Sequence, residues 1–199
     1  MHLVFSFRPL MLNLWLVWAL FWVVSAATAK PTQRRESPGS RLSHLLPLLL
    51  GVYLIVWPQV RLPGMSAPLL PDVGARYWLA GMLVVLGLGF TVWARLHLGK
   101  NWSGTVTQKQ GHELIRSGPY ACVRHPIYTG LLAALLGSAI ALGELRGFLG
   151  LLIVLGSFWR KLRIEEGFMR ELFPGQYQRY MDEVPALVPF TRVRRSAPR

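Results

Sequence analysis

One cysteine, few charges and long runs without any charge set the first limits on this 199-residue chain. The lone Cys122 excludes an internal disulfide and any CxxC metal site, and reads as an incidental small residue. His44, His97 and His112 lack ligand spacing, so no metal site is expected. No Ser/His/Asp arrangement suggests a hydrolase, and no internal repeat is visible. Gly87-Leu88-Gly89 lies inside an apolar run far from any strand, which fits helix packing rather than a nucleotide loop. The net charge of +13 raises nucleic acid as a partner, but no aromatic-and-basic recognition module accompanies it. Basic loops beside apolar spans instead face anionic lipid, so membrane lipids are expected as partners and nucleic acid is not.

Apolar residues make up 52% of the chain and charged residues 16%. A soluble domain can carry that proportion, but not in unbroken blocks. A bilayer core of roughly 30 Å needs about 20 apolar residues at 1.5 Å each. Pro9 to Ala29 has no charge, Leu42 to Val60 is interrupted by His44 and two prolines, and Tyr77 to Ala94 is apolar but for one threonine and its glycines. Ile127 to Gly143 and Gly147 to Trp159 are shorter and flank Glu144 and Arg146, which predicts a tight helical hairpin. The fold class expected is therefore all-α: a polytopic integral membrane protein with about five transmembrane helices. The fifth runs on through Arg160 into a polar C-terminal helical segment.

Eighteen of the 22 Lys and Arg residues then fall on one side, in the first connector, the third connector and the C-terminal segment. The other side keeps Arg8, Arg61, Arg76 and Arg146. The heavy side is cytoplasmic by the positive-inside rule, which puts the N-terminus outside and the C-terminus inside. A competing reading makes residues 1–29 a cleaved signal peptide, since Ala27-Thr28-Ala29 resembles a cleavage site. Cleavage there would export most of the basic residues, so an uncleaved helix is favoured. Segments 30–41 and 61–74 are connectors, and the tail 191–199 is polar and basic and expected to be disordered.

Polar residues beside membrane helices are informative because they are costly there. They concentrate in 95–130 and 160–190, both on the cytoplasmic face. In the first stretch, Gly118-Pro119-Tyr120 precedes Arg124-His125-Pro126-Ile127-Tyr128-Thr129-Gly130, with Pro126 suited to a first helical turn. The positive helix end beside Arg124 and His125 suits an anion such as a ligand carboxylate. The plainer reading is a snorkelling interfacial anchor. In the second stretch Glu165 and Glu166 diverge by about 100° around a helix, so one can face a pocket while the other meets Arg163 or solvent. Tyr177 and Tyr180 share a helical face, three residues apart.

Together these motifs resemble the isoprenylcysteine carboxyl methyltransferase family, in a superfamily that also includes phospholipid methyltransferases. The resemblance covers about residues 97–190 and includes Leu98-Gly99-Lys100-Asn101-Trp102-Ser103, the Gly118 and Arg124 motifs, Glu165-Glu166 and the Phe173 to Tyr180 run. It implies an S-adenosylmethionine site in 97–190, with residues 1–96 forming the lipid-facing helices. Arg124, His125, Pro126, Tyr128, Glu165, Glu166 and Tyr177 are the implied cofactor-binding residues. Arg163 is the candidate to hold a carboxylate acceptor, and Glu165 or Glu166 the base for an amine acceptor. The implied substrate is prenylated or otherwise lipid-like, entering sideways from the bilayer. A lipid amine methyltransferase, an NADPH-dependent membrane reductase drawing on Arg124, Arg160, Lys161 and Arg163, and a non-catalytic anchor are the competing readings. The charge distribution makes its own prediction: reporter fusions after Pro71 and after Arg199 should give opposite signals, with the latter inside. A C-terminus that reports outside refutes the five-helix topology.

Overall fold

The computed structural model describes residues 2–27, 32–35, 37–57, 62–99, 107–109 and 114–191. The Lys100 to Ser103 part of the resemblance, His112 and most of the basic tail (192–199) lie outside the described residues. Seven helices and a two-stranded ribbon follow in order: α1 (His2–Ala26), β1 (Thr32–Arg35), α2 (Pro38–Val56), α3 (Gly74–Leu98), β2 (Thr107–Lys109), α4 (Pro119–Cys122), α5 (Pro126–Leu142), α6 (Leu145–Leu172) and α7 (Gln176–Glu183). Each of the five apolar runs forms a helix. Three helices, in α1, α2 and α3, are long and apolar enough to cross a membrane; α5 is a shorter apolar helix of 17 residues. The chain is an integral membrane protein.

A short ribbon, not expected from the sequence, accompanies the all-helical architecture: β1 and β2 pair antiparallel, Thr32 with Lys109 and Arg35 with Thr107. Each strand has three or four residues, too short to show the alternation by which sequence reveals a strand. The pairing also joins the first connector to the third. At the opposite end, the Leu69 N–H donates to Gly143 O at 2.7 Å and the Arg146 N–H to Met65 O at 3.1 Å, so the second connector meets the α5–α6 turn.

Packing follows small residues. Gly87 of α3 and Gly130 of α5 meet backbone to backbone; a Cβ on either would stand 2.5 Å from the other's carbonyl oxygen. Within a bilayer, where lipid is as apolar as leucine, close backbone approach of this kind drives helix association. Val84 and Leu88 pack on Ala134 at the same contact. The α2–α6 pair repeats the device at Gly51 and Gly150, and the Ser157 hydroxyl donates to His44 O at 2.6 Å. At its end, Arg146 is buried and donates to Leu54 O and Trp57 O at 2.9 Å and to Glu144 at 2.5 Å.

Helix α1 sits on the outside of this four-helix core but is pinned by polar contacts. Trp15 Nε1 donates to Ser138 Oγ at 3.2 Å, Trp18 Nε1 to Thr91 Oγ1 at 2.7 Å, and the Arg95 guanidinium to Ser25 O. Such contacts fit a helix that stays with the bundle.

The Gly87 contact carries a test. Gly87→Val forces two backbones apart and should destabilise the detergent-solubilised protein by about 2 kcal/mol, read as a lower midpoint of thermal unfolding. Gly89→Ala, at a position where a Cβ meets nothing within 4 Å, should leave the midpoint unchanged.

Candidate functional site

Three segments meet where α6 passes beyond Trp159 and turns polar. The first is the turn into α5. Gly118, with φ of 59°, stands so close to the His97 imidazole that a Cβ would lie 2.7 Å from it, and it starts the short α4. Val123 is extended, and Pro126 is fully buried at the head of α5. The second is the polar end of α6. The third is α7 with the strand-like residues after it. The Arg124 N–H donates to Pro185 O at 2.9 Å, the His125 N–H to Ala186 O at 3.0 Å, and the Thr129 hydroxyl to Leu187 O at 2.6 Å.

A buried carboxylate ties them together. Oε1 of Glu166 accepts from Arg124 Nε at 2.9 Å, lies 2.8 Å from Arg124 Nη2, and is 3.1 Å from His125 Nε2. The Arg124 and Glu166 side chains are 8% and 5% exposed. Burial pushes the Glu166 carboxyl up, but the hydrogen bond and charge of His125 and the charge and hydrogen bond of Arg124 outweigh it, so the group lies below its usual value. Arg124 also donates through Nη1 to Met181 O at 3.2 Å and to Val184 O.

Glu165 diverges from its neighbour as the helical period requires, yet both reach the same centre because His125 stands between them. His125 Nδ1 is 3.6 Å from Glu165 Oε2, and Tyr128 Oη donates to Glu165 Oε1 at 2.6 Å. Tyr128 is stacked between His125, with centroids 5.5 Å apart, and Phe158, at 4.8 Å. Lys161 places Nζ 5.4 Å from the Tyr128 ring centroid and 3.9 Å from Glu165. Glu165 keeps 24% of its side chain exposed. Two carboxylates at the N-terminal turn of α5 also complement that helix's dipole.

Tyr177 is buried behind the cluster, edge-on to Tyr180, whose hydroxyl donates to Tyr120 O at 2.5 Å. Burial pushes the Tyr120, Tyr177 and Tyr180 phenols far up, and the Glu166 carboxylate adds to the effect at Tyr177. They remain neutral donors at physiological pH. Arg116 packs over the Tyr180 ring and pairs with Glu183, closing α7 onto the loop before α4.

The structure thus brings together six of the sequence candidates, Arg124, His125, Pro126, Tyr128, Glu165 and Glu166, with Tyr177 behind them. Arg163 is not among them: it is exposed on α6 and joins none of the cluster's hydrogen bonds or ion pairs. The fork of Arg124, read from sequence as a grip for a ligand carboxylate, is turned inward onto Glu166 and two carbonyls. Sequence reasoning weighed Lys161 only for a nucleotide-dependent reductase, and missed Phe158 and the 184–187 backbone. Spacing alone marks Lys161 and Phe158, since 158, 161 and 165 lie on one side of a helix. Among the described residues no group of His, Cys, Asp and Glu could hold a metal ion.

The phospholipid methyltransferase family model matches residues 75–176, which run from α3 through the cluster to the start of α7. The chain belongs to that family. Among its relatives, protein-S-isoprenylcysteine O-methyltransferase B of Arabidopsis thaliana is 25% identical over 60% of this chain and 64% of its own length. Protein-S-isoprenylcysteine O-methyltransferase of Schizosaccharomyces pombe is 32% identical over 48% of this chain and 42% of its own. The chain therefore spans less than two thirds of either relative. A solved structure of a eukaryotic intramembrane Ras methyltransferase, an isoprenylcysteine carboxyl methyltransferase, aligns at 24% identity and a TM-score of 0.48, over 79% of this chain and 54% of that one. The family resemblance carried by the Arg124 and Glu165 motifs is borne out.

The buried pair gives Glu166 a part in holding the fold together, beside its place among the implied cofactor-binding residues. Glu166→Gln leaves Arg124 uncompensated and should cost about 3 kcal/mol of stability. The wild-type contribution of Glu166 is complete above about pH 4.5 and is lost as pH falls through its depressed folded value. Thermal midpoints measured from pH 7 downward should fall below that point in wild type and depend less on pH in Glu166→Gln.

Proposed function

We propose that the chain is an S-adenosylmethionine-dependent membrane methyltransferase that methylates the carboxylate of an isoprenylcysteine or another lipid-like substrate. Membership of the family and the names of the relatives support the reaction class. The observation that carries the acceptor is the state of Glu166. An amine acceptor needs a base to take its proton, whereas a carboxylate is ionised at pH 7 and needs none. Glu166 is a poor base, because Arg124 and His125 already hold its oxygen and keep its carboxyl low.

The residues at hand suit the cofactor's chemistry. Glu165 is partly exposed and can accept from an ammonium or ribose hydroxyls, Lys161 is a cation for a carboxylate, and Tyr128 offers an aromatic edge. Bound there, the cofactor supplies a methyl group made electrophilic by its sulfonium. Glu165, Lys161 and Tyr128 do the holding; Arg124, Glu166 and Pro126 position them, with His125 between the two carboxylates. Tyr177 backs the cluster as a buried neutral wall. Positioning and exclusion of water are what in-line displacement asks of a protein, and a site fixed by a buried ion pair provides both.

In this reading five helices cross the bilayer, with the N-terminus outside and the site and C-terminus cytoplasmic. The alternating contacts support it. The first and third connectors pair at one end of the bundle, while the second connector meets the α5–α6 turn at the other. Substrate tails then reach the site from the lipid and the cofactor from the cytosol.

The family's description favours a second reading, N-methylation of a phospholipid amine. Purified protein given S-adenosylmethionine with a labelled methyl group separates the two. An S-prenylated cysteine should yield a base-labile ester, and phosphatidylethanolamine no product. A base-stable N-methyl product from the phospholipid alone would overturn the carboxylate reading. Binding of NADPH without binding of S-adenosylmethionine would overturn both. Calorimetry should show Glu165→Gln weakening cofactor binding by roughly tenfold, the loss expected for one charged hydrogen bond.

A further inference from the structure

The lipid-facing side of α6 carries a groove that the cluster's contacts do not use. Its floor is Gly156, where an added Cβ meets nothing within 4 Å. Leu152, Leu155 and Trp159 of α6 form one side and Leu187 and Val188 the other, around a cavity of about 630 Å³. Trp159 and Val188 stay largely exposed at its rim. Just past it Phe190, 94% exposed, is held outward in a left-handed turn with φ of 62° that the Thr191 hydroxyl closes onto Val188 O at 2.8 Å. Apolar surface of this extent on a membrane helix meets acyl chains.

One described residue gives the groove a charged mouth. Residues 152, 156, 159 and 163 follow the alternating three-and-four spacing of one helix face, so the exposed Arg163 stands about one turn, roughly 6 Å, beyond Trp159 toward the polar end. Apolar depth with arginine at the rim is the complement of an anionic phospholipid.

We infer that this groove binds one acyl chain of an anionic bilayer phospholipid, with Arg163 holding its phosphate. The inference rests on the membrane placement above and not on the methyl-transfer chemistry. It gives Arg163, exposed and outside the cluster, a ligand of its own. It also links lipid to site, because Ala186 and Leu187, which wall the groove, continue the backbone that takes the Arg124 and His125 N–H groups through Pro185 O and Ala186 O. A lipid seated in the groove braces that backbone from behind.

Native mass spectrometry of the full chain in detergent, titrated with phosphatidylglycerol and with phosphatidylcholine of the same acyl composition, tests this. Wild type should retain one phosphatidylglycerol with roughly tenfold preference over phosphatidylcholine. Gly156→Leu, which fills the floor without striking a neighbour, should reduce retention of both lipids. Arg163→Gln should remove the preference. Equal retention of the two lipids by wild type overturns the proposal, and so does undiminished phosphatidylglycerol retention in Gly156→Leu. A Gly156→Leu variant that keeps its phospholipid but shows a raised KM for S-prenylated cysteine assigns the groove to the substrate tail instead, which also overturns it. Calorimetry with S-adenosylmethionine on the same preparations keeps the two readings apart. Failure of wild type to bind that cofactor sinks the methyltransferase reading and leaves the lipid result standing.

Discussion

The site depends on a carboxylate that has been taken out of water and then fully answered. Glu166 sits on α6, Arg124 and His125 at the head of α5, and Met181 and Val184 at the end of α7 and just after it, so a single buried centre fixes three segments at once. A buried ion pair is a weak source of net stability because desolvation offsets most of the attraction. Its value here is geometric. Removing either partner strands the other, so the three segments have one favourable arrangement and the groups around them inherit it. Glu165 and Lys161, which are less buried, are thereby aimed outward from a rigid base.

Packing below the site serves the same end. The α3–α5 contact at Gly87 and Gly130 brings two backbones together one turn below the head of α5, close to the turn that carries Arg124. At the far end Arg146 fastens the α5–α6 hairpin to the last turn of α2. A hairpin held at both ends has little freedom to rock, which suits a reaction that asks for alignment.

Much of this was legible in the sequence, for reasons particular residues make plain. Runs without charge located the five long helices, and the polarity change at Arg160 located the face where chemistry gathers. Pro126 marked the head of α5 because a residue without an N–H belongs in a first turn. What stayed hidden depends on backbone partners, which leave no sequence pattern. Arg124 was recognisable as a site residue, but that its donors go to Glu166 and to the carbonyls of Met181 and Val184 is decided by where the chain returns after α7. The Thr32–Arg35 strand gave no signal for a similar reason: four residues pair with a segment far along the chain.

That ribbon bears on how the protein is made. Strand β1 is synthesised about seventy residues before its partner β2, and at roughly 5–20 residues per second the first strand waits on the order of 4–14 seconds. Helices α2 and α3 lie between the two strands and must both be made before the partner emerges. During that wait β1 is an open edge with its backbone unpaired by β2. Closure of the ribbon becomes possible once α2 and α3 have both been made and the chain has returned to β1.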